Sequence, residues 1–261
     1  MPVDELASVD GKITPTGEAV VPLPDDGVYR GDGVFEVIRL YQGRPYALGD
    51  HLDRIERSAA KIDLEVDRAG VESELGPLLE RNGDGDAQLR IVLTRGGRRI
   101  LLIENVPEHA DSVSLRTVEY SPTVILDRVK SLSYAANMQA TRIAKAQGAD
   151  EALLVLFDGT VLEAPTSTIF WAHKHGRLKT PSLDLPILDS ITRDRLVREL
   201  DIEEGEHDID DLLHAKEAFL ASTVREVQPI SSVNGHSFET GGKHTLAAQQ
   251  AFAAVLEREL A

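Results

Sequence analysis

The hydrophobic positions change period several times along the chain. GVFEVIRLY (33–41) is rich in β-branched and aromatic residues and stops at a Gln-Gly pair before RPYAL, which predicts a hairpin. In GDHLDRIERSAAKIDL the apolar positions Leu52, Ile55, Ala59 and Ile62 follow helical spacing, with an Asp available as cap. ESELGPLLERNG predicts a further helix ending at Asn-Gly, and AQLRIVLTRGG and SVSLRTVEY predict strands. SPTVILDRV reads as a connector broken by Pro122.

Beyond the connector, the spacing predicts a helix from Ser133 to Gln147, stopped by Gly148. EALLVLFDGTVLEA sets two apolar runs around Asp158-Gly159, the strongest hairpin signal in the chain. TIFWAHKHGRLKTP predicts another strand pair, with HKH in its solvated turn. LPILDSITRDRLVREL reads as loop then helix, AKEAFLAST follows, and a closing helix spans 243–259. The expected organisation is α+β: a small N-terminal domain (1–120), a connector (121–129) and a larger C-terminal domain (130–261).

Composition narrows the chemistry. With no cysteine, the chain has no disulfide, no zinc–thiolate site and no thiol nucleophile. Its eight histidines show no metal-binding spacing, so no metal is expected. A formal charge of −16 opposes a nucleic-acid groove and gives local basic clusters more meaning. No apolar run approaches the roughly 20 residues of a membrane span, and the start MPVDELASVDGK lacks signal-peptide character. A cytoplasmic location without a membrane partner is the expectation.

Lys130 opens the stretch KSLSY just after the connector. Most lysines are solvated surface charges, and Lys145 in RIAKAQG reads as one at the end of a helix. A lysine can also form a Schiff base with an aldehyde cofactor and carry a proton, if burial or nearby cations lower its pKa. The residues around Lys130 alone favour the surface reading.

The order of motifs changes that. YRGDGVFEVIR, HLDRI, VKSLSY, GADEALLVLFDGTVLEAPTSTIF, LDSITRD and STVREVQPI together resemble the class IV aminotransferases, the fold-type IV family of pyridoxal 5'-phosphate (PLP) enzymes. That family includes branched-chain and D-amino-acid aminotransferases, (R)-amine transaminases and aminodeoxychorismate lyase, and the resemblance spans about residues 28–235. It implies a two-domain fold-type IV enzyme in which Lys130 is the Schiff-base lysine and Glu163, in VLEAPTSTIF, faces the pyridine nitrogen. Two departures stand beside Glu163: Ala164 replaces the usual Gly, and Thr168 stands where Asn is frequent.

The resemblance further implies that the phosphate is held by Arg54, by Ile191 and Thr192 at a helix start, and by Thr223. Ser190 stands where most relatives have Gly, and it can still cap that helix. Tyr134 is expected beside the cofactor. Phe35, Val224 and Arg225 are expected on the substrate side, with Arg98 as carboxylate ligand and Arg95 and Arg99 as rivals in the loop LTRGGRR. The implied reaction is amino transfer between an amino acid or amine and a 2-oxo acid. The alternative is an aminodeoxychorismate lyase forming 4-aminobenzoate and pyruvate; a non-catalytic PLP carrier is a third reading. A homodimer is expected by the same resemblance.

Overall fold

A computed structural model describes residues 3–261, which divide into two compact units. The first takes in the chain up to Glu108, Val129–Tyr134 and Leu260; the second takes in His109–Arg128, Ala135–Glu259 and Ala261.

The first unit holds β1 (Leu6–Val9), β2 (Lys12–Pro15), α1 (Asp26–Arg30), β3 (Gly33–Tyr41), β4 (Arg44–Pro45), α2 (Leu48–Lys61), α3 (Arg68–Asn82), β5 (Ala87–Thr94) and β6 (Arg99–Glu104). Its six strands pair antiparallel in the order β2-β1-β6-β5-β3-β4. One face of the sheet meets α2 and α3 through Val34, Ile38, Leu40, Leu52, Ile55, Val71, Leu75, Leu78 and Ile91. The predicted 33–45 hairpin is present, as are both helices and the strand now labelled β5. The expected Asp cap of α2 is not: Ala47, in the left-handed conformation, precedes the helix, and Asp50 lies in its first turn, where its charge favours the dipole.

The second unit holds β7 (Val113–Glu119), α4 (Ala135–Ala146), β8 (Glu151–Val155), β9 (Thr168–Ala172), β10 (Leu178–Pro181), α5 (Ile191–Glu199), β11 (Ile202–Gly205), α6 (Ile209–Leu213), β12 (Glu217–Ser222), β13 (Glu226–Val233), β14 (His236–Ser237) and α7 (Lys243–Glu259). Its sheet runs β11-β10-β9-β12-β13-β7-β8, with β14 added on β13. The division of the chain differs from the expected boundary near residue 120. β7 pairs parallel with β8 and with β13, so it belongs to the second sheet. A parallel neighbour requires a crossover between β7 and β8, and the chain makes it through 120–150, including α4. Val129–Tyr134, placed by the sequence reading in the connector and C-terminal domain, packs instead with the first unit. The Asp158-Gly159 turn forms, but its outgoing arm makes isolated bridges (Val155 to Val161, Thr160 to Asp208) rather than a full strand.

α7 illustrates how local chemistry ends in packing. It buries Thr245, Ala248, Phe252 and Val255, and its amino end is capped by a side chain from a distant strand. The buried carboxylate of Glu217 accepts from His244 N at 3.1 Å, Thr245 N at 2.8 Å and Thr245 Oγ1 at 2.8 Å. Gly242 permits this approach, since a Cβ there would lie 2.3 Å from Glu217 Oε2. Glu217→Ala strips the donors of their acceptor and is expected to destabilise the protein by about 2–3 kcal/mol. Urea unfolding monitored at Trp171 checks this; an unchanged midpoint contradicts the cap's role.

Candidate active site

Lys130 is placed by backbone hydrogen bonds on both sides. Residues 130–132 run beside the start of β3: Phe35 N donates to Lys130 O at 3.0 Å, Leu132 N donates to Gly33 O at 2.9 Å, and Val34 bridges Ser131. Gly33 is required there, because a Cβ would lie 2.4 Å from Leu93 O and 2.7 Å from Leu132 Cδ1. Lys130 N donates to Ser58 Oγ on α2 at 3.2 Å. The amine Nζ sits 4.4 Å from the Phe35 ring centroid and 5.9 Å from that of Tyr134, within cation–π range of both. The two rings meet edge to face, 5.3 Å apart at 84°. The structure therefore brings Lys130, Phe35 and Tyr134 together, whereas Lys145 lies exposed near the end of α4.

Arg54 lies on α2 one turn before Ser58. His51, Arg54, Ile55 and Ser58 follow the i, i+3, i+4, i+7 pattern of one helical face, and all are buried. The Arg54 guanidinium is gripped by Glu36 of β3, with Nε donating to Oε1 and Nη2 to Oε2, both at 2.7 Å. It is a core residue and not a surface partner of its helix neighbours.

The three arginines of LTRGGRR each have an acidic partner. Arg98, in the β5–β6 turn, donates to Asp10 Oδ2 at 2.7 Å through Nη1. Arg95 pairs with Asp32 and also donates to the carbonyls of Ile62 and Asp63. Arg99 begins β6 rather than lying in the loop, and pairs with Glu74 at 2.6 Å and Asp67 at 3.1 Å. Any of them would have to exchange a carboxylate already in hand for that of a substrate.

In the second unit, Glu163 O accepts from Leu154 N at 2.9 Å and Glu163 Oε1 accepts from Leu188 N at 3.1 Å. Leu188 lies three residues before Ile191, so one hydrogen bond ties the carboxylate to the segment that enters α5. Burial, helped by the Glu163 charge, pushes the Tyr120 phenol above its ordinary pKa. Ser190 caps α5 as expected, its Oγ accepting from Arg193 N at 3.3 Å. Ile191 and Thr192 are buried in the first turn, and Thr192 Oγ1 has no hydrogen-bond partner among the described residues. Thr223, Val224 and Arg225 form the turn between β12 and β13. Arg225 is held inside the unit, donating to Glu151 Oε2 at 2.6 Å and Gln228 Oε1 at 2.7 Å.

A family model described as amino-transferase class IV matches residues 33–233 of the chain, most of its length. The chain belongs to this family. This class IV aminotransferase is 30% identical over 256 residues to a D-alanine aminotransferase of Bacillus licheniformis, covering 89% of each chain. It is 33% identical to a putative branched-chain-amino-acid aminotransferase of Methanocaldococcus jannaschii, covering 87% of each, and 30% identical to an aminodeoxychorismate lyase of Bacillus subtilis, covering 86% and 85%. Among solved structures it resembles a fold IV transaminase from Curtobacterium pusillum, with a TM-score of 0.85 and 28% identity over 95% of this chain and 99% of that one. The fold is that of fold-type IV enzymes.

PLP is the cofactor of such enzymes, and the residues present suit it. Thr192 has a buried hydroxyl without a partner among the described residues, at a capped helix start where backbone N–H groups favour an anion. Lys130 supplies an amine against two rings. Among the described residues no group of His, Cys, Asp or Glu could hold a metal, and no helix is long and apolar enough to cross a membrane.

Sequence reasoning passed over Glu36, His51, Ser58 and Glu151. A signal for the first was present: Val34, Glu36, Ile38 and Leu40 share the core-facing side of β3, and a carboxylate in that register demands a buried partner. Glu151, from β8, meets Arg225 across 74 residues of sequence, and no local pattern reports that pairing.

Proposed function

We propose that Lys130 is the residue through which this PLP-dependent transaminase works, transferring an amino group between an amino acid or amine and a 2-oxo acid. The observation that carries the reading is the Lys130 amine, fixed through its backbone to β3 and α2 and flanked by Phe35 and Tyr134. Lys130 would hold PLP through its aldehyde carbon, Glu163 would face the ring nitrogen, and Tyr134 would lie beside the ring. Arg54, Thr223 and the first turn of α5 at Ile191 and Thr192 would take the phosphate. When bound, PLP supplies a ring that accepts electrons from the substrate α-carbon. The Lys130 amine would take the proton from the substrate α-carbon as general base. The Glu163 carboxylate would keep a proton on the ring nitrogen.

Phe35, Val224, Arg98 and Arg225 are the substrate-side candidates. Arg225 would act from the β12–β13 turn, with Glu151 and Gln228 holding its guanidinium in one plane. The protein is read as a cytoplasmic homodimer with small-molecule partners. The exposed apolar side chains of Val20, Leu23, Val28 and Tyr29 support an additional protein contact in the first unit, and the net charge of −16 opposes nucleic acid.

A second reading, aminodeoxychorismate lyase, is favoured by the lyase relative, which matches over 253 residues at the same level of identity as the D-alanine enzyme. Incubating the PLP form with D-alanine, L-leucine or (R)-phenylethylamine, then with 2-oxoglutarate, separates the two. Transamination predicts that at least one donor bleaches the visible absorbance and that 2-oxoglutarate restores it. Failure with every donor, with 4-aminobenzoate formed from aminodeoxychorismate, assigns the lyase reaction instead.

A further inference from the structure

Glu36 is completely buried in the middle of β3, at a position whose neighbours on the same face are Val34, Ile38 and Leu40. Both of its oxygens are used. Oε1 accepts from Arg54 Nε at 2.7 Å, and Oε2 accepts from Arg54 Nη2 at 2.7 Å and from His51 Nδ1 at 2.8 Å. His51 is fully buried as well, and its Nε2 has no hydrogen-bond partner among the described residues. Burial lowers the His51 pKa despite the nearby carboxylate, and because an ionised carboxylate only accepts, the Nδ1 contact places a proton on Nδ1 facing Glu36.

A buried ion pair is a poor means of stabilising a core, because desolvation offsets much of the attraction and an apolar residue would fit the strand as well. What the arrangement does provide is direction. Two parallel N–H···O bonds fix the plane of a guanidinium, and the His51 contact fixes the carboxylate that makes them. We propose that Glu36 is a positioning residue for Arg54, holding its guanidinium in the orientation that receives the PLP phosphate, with His51 steadying Glu36 from the helix. The inference rests on the reading of Arg54 as a phosphate ligand.

The sign of the effect distinguishes positioning from simple charge balance. Glu36 neutralises Arg54, so on charge alone its removal strengthens the attraction for a phosphate. If orientation dominates, removal weakens it, because a glutamine amide at this position turns an N–H group toward donors that now lack an acceptor. The test compares binding of PLP with binding of pyridoxal, which has the same ring and aldehyde but no phosphate. Apoprotein is titrated with each and followed by visible absorbance.

Glu36→Gln is expected to lower the PLP-to-pyridoxal affinity ratio by about tenfold, the worth of one charge-assisted hydrogen bond. Glu36→Asp, which keeps the charge, is expected to recover part of the loss. A merely structural role would weaken both ligands alike and leave the ratio unchanged, and that outcome overturns the proposal, as does a ratio that rises. If Glu36→Gln fails to fold, His51→Asn, which leaves the Glu36–Arg54 pair in place, is expected to lower the ratio by a smaller factor; no change there overturns the proposal too. Arg54→Gln separates the two levels of inference. An unchanged ratio in Arg54→Gln removes the phosphate reading itself, whereas a fall in Arg54→Gln without one in Glu36→Gln removes the positioning role alone.

Discussion

Lys130→Ala is expected to reduce transamination about a thousandfold or more, since on the proposed reading it would remove both the covalent anchor and the general base. The substitution should leave the fold intact. Lys130 is held by its backbone, through Phe35 N and Ser58 Oγ, and alanine keeps both bonds. The packing lost is an amine lying over the faces of Phe35 and Tyr134, worth about 1 kcal/mol in a half-buried setting. The variant should therefore unfold near the wild-type urea midpoint while losing the visible absorbance of the PLP form. Borohydride reduction followed by intact mass gives a second readout: the wild type retains PLP on the chain, and the variant does not. Retention of both the band and the added mass would move the chemistry to another lysine.

Glu163→Gln has the next largest expected effect, a fall in kcat of about 10²–10³-fold, in the range seen when a single preorganised electrostatic contact is removed from a reacting site. Glutamine preserves the side-chain oxygen that accepts from Leu188 N at 3.1 Å, so the approach to α5 is undisturbed. It cannot, however, hold a proton on a facing nitrogen by charge. The substitution carries its own internal control. The Tyr120 pKa is raised by burial and by the negative charge of Glu163, so Glu163→Gln should lower it, with phenolate appearing at lower pH in an ultraviolet titration for which Tyr120→Phe supplies the blank. A Tyr120 titration that shifts as expected, with kcat unaltered, would show that the carboxylate is present but has no part in the reaction.

Much of the local structure was legible because period and punctuation agreed. The 3.6-residue spacing before Lys61, the Gln42-Gly43 turn and the Asp158-Gly159 turn each report on a few adjacent residues, where backbone sterics act. β1, β2, β11 and β14 were not predicted; each spans only two to four residues, too short to establish an alternation, and pairing with a neighbour defines them. The same limit affected β7. Its sequence reads as a strand, but which sheet it joins depends on β8 and β13, each more than 30 residues away.

The candidate site divides along the same line. Residue identity and motif order were enough to single out Lys130, Glu163, Arg54 and the start of α5, because a family's chemistry demands those side chains in that sequence order. Distance along the chain says nothing about ion-pair partners. That Glu36 engages both Arg54 and His51, Glu151 engages Arg225, and Asp10 engages Arg98 follows from elements brought together in three dimensions. An arginine read in isolation is a charge looking for an anion; the fold has already given each of these a carboxylate. The sequence by itself determined the family and the cofactor, and it singled out the amine proposed to carry the reaction. Only the tertiary structure decided which cations are held by buried acids, because the cost of burying a charge is met by partners that no local pattern can name.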